Sequence, residues 1–377
     1  THEVPIKGHV LNKFNMNLQG DILTVVSQVR RGVNLRMPFA SVETFDISEP
    51  NPESDIVLID TPDHWHALPM IEAVQIRAVG ELEFANNETI TATRFAGDLL
   101  YVVTVLRIDP LFVISLEDPA NPKLLGELEV PGFSTHMEVL GEESIISVGV
   151  EGSQVAVSWF DVSTPEEPSL SSRVYIGAED GWSWTEANWD EKAFGFFPND
   201  QLILLPYQGS VPDVGWVSGV QIIEMGENEL IKRGSFEHEF QARRARVLGD
   251  AVVSISGRSL KSLDVTDLDN PVLLADLTLA WPVDYVHRVG DYLVQLERGP
   301  NYWYYGSNDA SAKLHVSPVA DTDELETSMD LPVGMIVGSV LINDCLIVAQ
   351  SSLEEDEAYR SRDAFSTTII DLSDPQV

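Results

Sequence analysis

The stretch DPLFVISLEDPANPKLLGELEVPGFSTH, residues 109–136, decides how this chain is read. An apolar run at strand period enters an acidic Asp-Pro-Asn-Pro turn, and a second apolar run leaves it. The turn returns as FDISEPN at 45–51, FDVSTPEEP at 160–168, LDVTDLDNP at 263–271 and IDLSDPQV at 370–377. Weaker copies are IIEMGENEL at 222–230 and HVSPVADTDEL at 315–325. Proline withdraws a ladder donor, and Asp, Ser and Asn side chains bond the local backbone, so each copy ends a strand and reverses the chain. A phrase that recurs along a chain marks a repeat architecture, which has to be settled before any domain count.

A second phrase recurs seven times: Gly or Asn, an acid, then an apolar run. It runs GDILTVV at 20–26, GDLLYVV at 97–103, GEESIISV at 141–148, NDQLILL at 199–205, GDAVVSI at 249–255, GDYLVQL at 290–296 and NDCLIVA at 343–349. Its acids, Asp21, Asp98, Glu142, Asp200, Asp250, Asp291 and Asp344, lie 77, 44, 58, 50, 41 and 53 residues apart. Gly and Asn supply the positive φ that hairpin turns need. Each unit therefore reads strand, Gly-Asp turn, strand, variable loop, strand, Asp-Pro turn, strand. Seven such units in 377 residues predict an all-β, seven-bladed β-propeller of four-stranded antiparallel blades, a single domain over 1–377. The long first interval reads as an insertion in the first blade around 49–72, or else as parts of two blades. The chain stops at IDLSDPQV, where other units place their outermost strand, and starts with HEVPIKGHV. The strand Glu3–Lys7 is therefore expected to complete the last blade.

Composition sets the partners. There are 60 acids against 23 Lys and Arg, a net charge of −37, which repels nucleic acid and anionic membranes. No run approaches the ~20 apolar residues of a membrane span, and no signal peptide is visible in the chain as it stands. The one cysteine, Cys345 in the apolar run CLIVA, reads as a small core residue.

The segment ATRFAGDLLYVVTVLRIDPLFVISLEDPANPKLLGELEVPGFSTH (92–136) resembles the secreted beta-propeller domain proteins of bacteria and archaea. WSWTEANWDEKAFGFFP (182–198) resembles the same family's Trp-Ser-Glu-Ala and Asp-His-Lys-Ala-Phe pattern, with Thr185 inserted and Glu191 in place of the His. The N-terminal VLNKFNMNLQGDILTVV (10–26) resembles it less closely. The likeness covers roughly residues 8–205. It implies a secreted or cell-surface propeller, and it brings no established activity and no catalytic residues.

Propeller sites form where the first strands of the blades converge on a central channel. Those strands precede the Gly-Asp turns. Counting back four and six residues from each acid gives Asn15 and Asn17, Arg94, His136 and Glu138, Arg244 and Arg246, and Tyr285 and His287. The fourth unit gives Phe194 and Phe196, so Glu186 and Asn188 stand in for it; the seventh gives Gly338 and Val340. Arg94, His136, Glu138, Glu186, Arg244, Arg246, Tyr285 and His287 are thus the channel-mouth candidates, suited to an anionic or polyol ligand through forked hydrogen bonds. The plainer alternative is a polar lining that holds water and satisfies itself.

Four aromatics in a row, Tyr302, Trp303, Tyr304 and Tyr305, mark an interstrand loop that could stack on sugars or anchor a protein. Trp182, Trp184 and Trp189 are expected to pack between blades. Asp63, His64 and His66 have the beginnings of a zinc ligand set, and the acidic Asp-Pro turns offer oxygens to calcium, although their repetition argues for turn chemistry. The divalent cation expectation, calcium or zinc, rests on these alone. No G-x-S-x-G, H-E-x-x-H, P-loop or G-x-G-x-x-G is present. The reading that follows is a secreted or cell-surface, non-catalytic binding platform for a protein or carbohydrate partner. The alternative is a polysaccharide hydrolase or lyase with its site at the channel mouth.

Overall fold

The computed structural model describes residues 2–31, 37–48, 74–75, 78–105, 109–178, 181–211, 215–281, 283–297, 311–355 and 361–374. It is an all-β propeller of seven consecutive antiparallel sheets. The first strands of the sheets are Met16–Gln19, Thr89–Ala96, Phe133–Leu140, Ser183–Trp184, Ala242–Leu248, Val283–Val289 and Met335–Ile342. In the second sheet the order is Thr89–Ala96, Leu99–Val105, Asp109–Ser115 and Lys123–Val130, each strand hydrogen-bonded to the next, and the other sheets follow the same plan. The fourth adds the short strand Gly195–Phe197 against Leu202–Val211. Among the described residues the seventh has three strands.

Two compact units divide the chain: residues 1–203 with 223–232, and residues 204–222 with 233–377. In the first unit, Val26, Val42, Phe84, Leu100, Phe112 and Ile114 bury the face between the first two blades. Tyr101, Leu111, Met137, Ile145 and Phe160 do so between the second and third. In the second unit, Val294, Leu296, Leu314, Ile336, Leu346 and Val348 fill the space between the sixth and seventh. A blade has two apolar faces and can bury them only against its neighbours, which is why the repeat must be contiguous.

The two recurring phrases have separate jobs. The Gly-Asp phrase is the hairpin turn between the first two strands. Gly20, Gly97, Gly141, Gly249, Gly290 and Asn343 take left-handed backbone there, with φ between 55° and 65°. The fourth unit differs: a 3₁₀ turn over Pro198–Asp200 shifts the left-handed residue to Gln201.

The Asp-Pro phrase is a turn and also a clasp between blades. Asp46, Asp161, Asp264 and Asp371 each accept from the Ser or Thr two residues on, Asp46 and Asp161 chiefly from its hydroxyl and Asp264 and Asp371 chiefly from its backbone N–H, which holds these carboxyls below the usual range. The turn of one blade then seats on the outermost strand of the blade before. A Cβ on Gly80 would run into the Pro119 carbonyl, and one on Gly126 into that of Pro165. Thr44 Oγ1 donates to the Pro119 carbonyl at 2.5 Å, and the Gly234 N–H donates to the Leu268 carbonyl at 3.0 Å. Where the outer strand carries Ser172 instead of glycine, its Oγ accepts from the Leu230 N–H at 3.0 Å.

Two expectations change, and the first-blade interval is delimited. The start of the chain does not add to the seventh sheet. His2–Glu3 pairs in parallel with Val74–Gln75, and Val4, Ile6 and Val10 pack on Val25 and Phe45 of the first blade. Lys7 meets Glu81 and Glu83 there, and its N–H donates to Glu43. The apolar alternation and the cation thus find their complement in the first blade. Met37–Asp46 pairs with Gly80–Phe84, so residues 47–79 intervene between neighbouring strands of one sheet. Cys345 is exposed, at the mouth of a hairpin, because its side chain falls on the outward phase of its strand.

Candidate functional site

The first strands of the second and third blades bring three of the candidate residues together. Arg94 on Thr89–Ala96 donates from Nη2 to Glu138 Oε2 at 2.5 Å. His136 on Phe133–Leu140 places Nε2 2.9 Å from Glu138 Oε1. A carboxylate oxygen can only accept, so Nε2 carries the imidazole proton. His136 and Glu138 are two apart on one strand and so share a face. The His136 ring is buried against the edge of Phe14 at 5.2 Å and of Phe194 at 6.0 Å. Phe14 sits in a 3₁₀ turn, Lys13–Asn15, locked by a reciprocal Asn12–Asn15 capping box, and its carbonyl accepts from Thr93 Oγ1 at 2.7 Å. Asn15 is buried within that cap, while Asn17 follows on Met16–Gln19.

The other candidates have different fates. Glu186 opens a 3₁₀ turn, Glu186–Asn188, and Asn188 Oδ1 accepts from Thr135 Oγ1 at 3.0 Å, so this turn rests beside His136. In the second unit, Arg244 is half-buried and donates to the Arg243 carbonyl, and Arg246 is exposed. Tyr285 packs its ring on the apolar cluster of the last two blades. His287 Nε2 bonds Ser339 Oγ at 2.8 Å. Phe194 packs on His136, the other phase of the fourth-unit pattern. Tyr302, Trp303, Tyr304 and Tyr305, and Asp63, His64 and His66, lie outside the described residues. Among the described residues no three His, Cys, Asp or Glu side chains cluster as a metal site would require, and the turn carboxylates are taken up by local N–H groups.

Trp189 overturns the expectation that all three tryptophans of 182–189 pack between blades. It is 73% exposed, while Trp184 is half-buried, and their ring centroids stand 5.6 Å apart at 31°. Two caps hold it out. Thr185 caps the turn before it, and Asp190 caps the next turn, Glu191–Ala193. Lys13 ties that second turn down through Glu191 at 2.5 Å, and this hydrogen bond holds the Glu191 carboxyl below its usual range.

A second cluster escaped the sequence reading. Arg258, at the turn between the second and third strands of the fifth blade, donates to Glu297 Oε1 at 3.0 Å. His315 Nε2 lies 2.5 Å from Glu297 Oε2, and the Trp281 ring lies over His315 at 5.0 Å, tilted by 31°. The signal was present in the sequence: Glu297 ends YLVQLE and His315 interrupts KLHVSP, each polar where the strand runs apolar.

A family model described as a beta propeller domain matches residues 1–268. An uncharacterized protein of Archaeoglobus fulgidus is 31% identical over 159 residues, 42% of this chain and 25% of that protein. An uncharacterized protein of Methanocaldococcus jannaschii is 28% identical over 191 residues, 50% of this chain and 29% of that protein. The matched region thus spans between a quarter and a third of these relatives. Among solved structures, Saccharomyces cerevisiae Sqt1 aligns over 99% of both chains at 7% identity and a TM-score of 0.41. Kluyvelomyces marxianus Hsv2 covers 90% of this chain and 96% of its own at 12% identity and a TM-score of 0.34. Neither value carries weight for function. Among the described residues no helix is long and apolar enough to cross a membrane.

Proposed function

We propose that this chain, which belongs to the beta propeller domain family, is a recognition platform at the cell surface, secreted or displayed, that holds a protein or carbohydrate partner without transforming it. The observation that supports this is the Arg94–Glu138–His136 cluster. Its side chains come from two blades and are held by each other and by aromatic edges, and Arg94 and Glu138 are still reached by solvent. A polar surface ordered before the partner arrives loses little entropy on binding. The net charge of −37 favours a neutral or cationic partner.

The test is co-sedimentation of the purified chain with cell envelopes of its organism of origin. The wild type should pellet with the envelopes, and Arg94→Ala should stay in the supernatant. Equal pelleting of both would remove the cluster from the binding surface. A second reading, a polysaccharide hydrolase or lyase, draws on the His136–Glu138 distance of 2.9 Å, within reach for proton transfer. Glu138, however, already accepts from both Arg94 and His136, one oxygen each, which suits positioning better than turnover. Release of reducing ends from envelope polysaccharide, lost in Glu138→Gln, would favour the enzyme.

A further inference from the structure

We propose that the Trp184–Trp189 pair is the stacking site for a glycan built of neutral or amino-bearing pyranoses. This rests on the platform reading and assigns the chemistry of one partner to one surface. A tryptophan normally hides most of its area, and Trp189 leaves 73% of its own in water. Trp184 stands beside it at 5.6 Å and 31°, which leaves the far face of the Trp189 indole open. An open indole face is a flat apolar plate of the size of a sugar ring, and the C–H face of a pyranose is its complement.

The loop that presents this plate is held at every end. The Thr185 hydroxyl accepts from the Ala187 N–H, and the Asp190 carboxylate accepts from the Lys192 N–H at 3.0 Å. The Trp189 N–H itself donates to the Glu186 carbonyl at 2.9 Å. Thr135 holds Asn188, and Lys13 holds Glu191. A side chain exposed by mobility needs no such scaffold; a binding plate does, because affinity improves when ordering precedes contact.

The rim indicates which sugars. Glu186, Asp190 and Glu191 lie within three residues of Trp189, and Lys13 already offsets Glu191. Carboxylates at the rim accept from sugar hydroxyls or ammonium groups and repel uronic acids. The Asn188 amide nitrogen has no acceptor among the described residues, since Thr135 bonds its oxygen, so it can donate to a ring substituent.

The experiment is titration of the whole chain with three hexasaccharides, cellohexaose, hexaglucosamine and hexagalacturonate, followed by tryptophan emission and calorimetry. At least one of the first two should bind and shift the emission, and hexagalacturonate should bind at least roughly tenfold more weakly. Trp189→Ala should weaken the preferred sugar by roughly tenfold or more, and Trp189→Phe should keep part of the affinity because a smaller ring still stacks. Should Trp189→Ala lower the melting temperature, Trp189→Phe and emission in the wild type decide alone. Binding of neither neutral nor amino hexasaccharide, tightest binding of the uronate, or equal affinity in wild type and Trp189→Ala would each overturn the site. If envelope co-sedimentation still depends on Arg94 in that event, the platform reading survives and only the sugar assignment falls; loss of both sinks both.

Discussion

Two clusters in this molecule use the same three side chains. In the first unit Glu138 gives one carboxylate oxygen to Arg94 and the other to His136. In the second Glu297 gives one to Arg258 and the other to His315. Both span neighbouring blades, and they differ in their contact with water. The glutamates differ most, 24% exposed for Glu138 and 2% for Glu297; Arg94 and Arg258 are 27% and 17% exposed, His136 and His315 6% and 4%, and the Trp281 ring lies tilted over the His315 imidazole. Burial, and not residue type, decides what such a trio does. The open one can trade its internal bonds for a partner's. In the closed one Glu297 and His315 have almost no water to fall back on, so their bonds tie two blades together. Evidence of that confinement is His315 Nδ1, buried with no partner among the described residues.

The sharpest way to break this comparison is to remove each glutamate. Glu297→Ala leaves His315 facing an empty space in a low-dielectric interior and leaves Arg258 with only the exposed Glu239, 3.6 Å away. Removing one member of a buried ionic set costs about 3–5 kcal/mol, because the remaining charge is neither paired nor solvated. Urea unfolding of the whole chain should show that loss as a lower midpoint at unchanged slope. A loss under about 1 kcal/mol would mean that water reaches Glu297 after all, and the two clusters would then be alike.

A third histidine sharpens the contrast from another side. His238 is buried like His315 but is hydrogen-bonded to serines and not to a carboxylate; its Nε2 bonds Ser254 Oγ at 2.9 Å. Burial, with Lys261 nearby, pushes its pKa down to about 4 from 6.5. The folded state therefore refuses a proton that the unfolded state takes up below 6.5. Stability from this residue is complete above pH 6.5 and falls as the pH drops toward 4, by about 3 kcal/mol across the window. His238→Gln should flatten that part of the stability–pH curve. Retention of the slope in the variant would assign it to other groups.

The fold was legible because it is written locally and seven times over. Gly20 or Gly97 declares a left-handed turn without reference to anything distant, and Asp161 with Ser163 declares a capped one. Pairings between remote segments were not legible. The alternation of Val4 and Ile6 was right for packing, but nothing local said that Phe45 would be the partner. The same limit applied to the site. Counting back from the Gly-Asp turns picked Arg94, His136 and Glu138, which do meet, since two-residue spacing on one strand is a local fact. It also picked Tyr285, whose side chain packs on the apolar cluster of the last two blades, because a tyrosine reads alike in a core and a cleft. It passed over Glu297 and His315, which meet only once the strands Tyr292–Glu297 and Ser311–Pro318 pair and Arg258 arrives from another blade. Trp189 was misjudged because indole size predicts burial, whereas its exposure is set by the caps at Thr185 and Asp190.

The smallest expected effect falls on the open cluster. Glu138→Gln keeps the shape and one acceptor oxygen, and it removes the charge that Arg94 meets. Partly exposed pairs of this kind contribute at most about 1 kcal/mol, since water solvates whichever charge is released. The melting temperature of Glu138→Gln should therefore stay within a few degrees of the wild type, about 2–4 °C for each 1 kcal/mol in a chain of this size or less. Binding should respond more strongly than stability does. An amide in place of the carboxylate puts an N–H donor toward Arg94 or His136 and turns both side chains from their present positions, so co-sedimentation with envelopes should drop while the fold stays. A variant that loses stability and keeps binding would reverse the assignment of the two clusters. The open trio would then be the lock, and the partner surface would have to be sought on the exposed first strand of the fifth blade, where Arg246 stands in solvent.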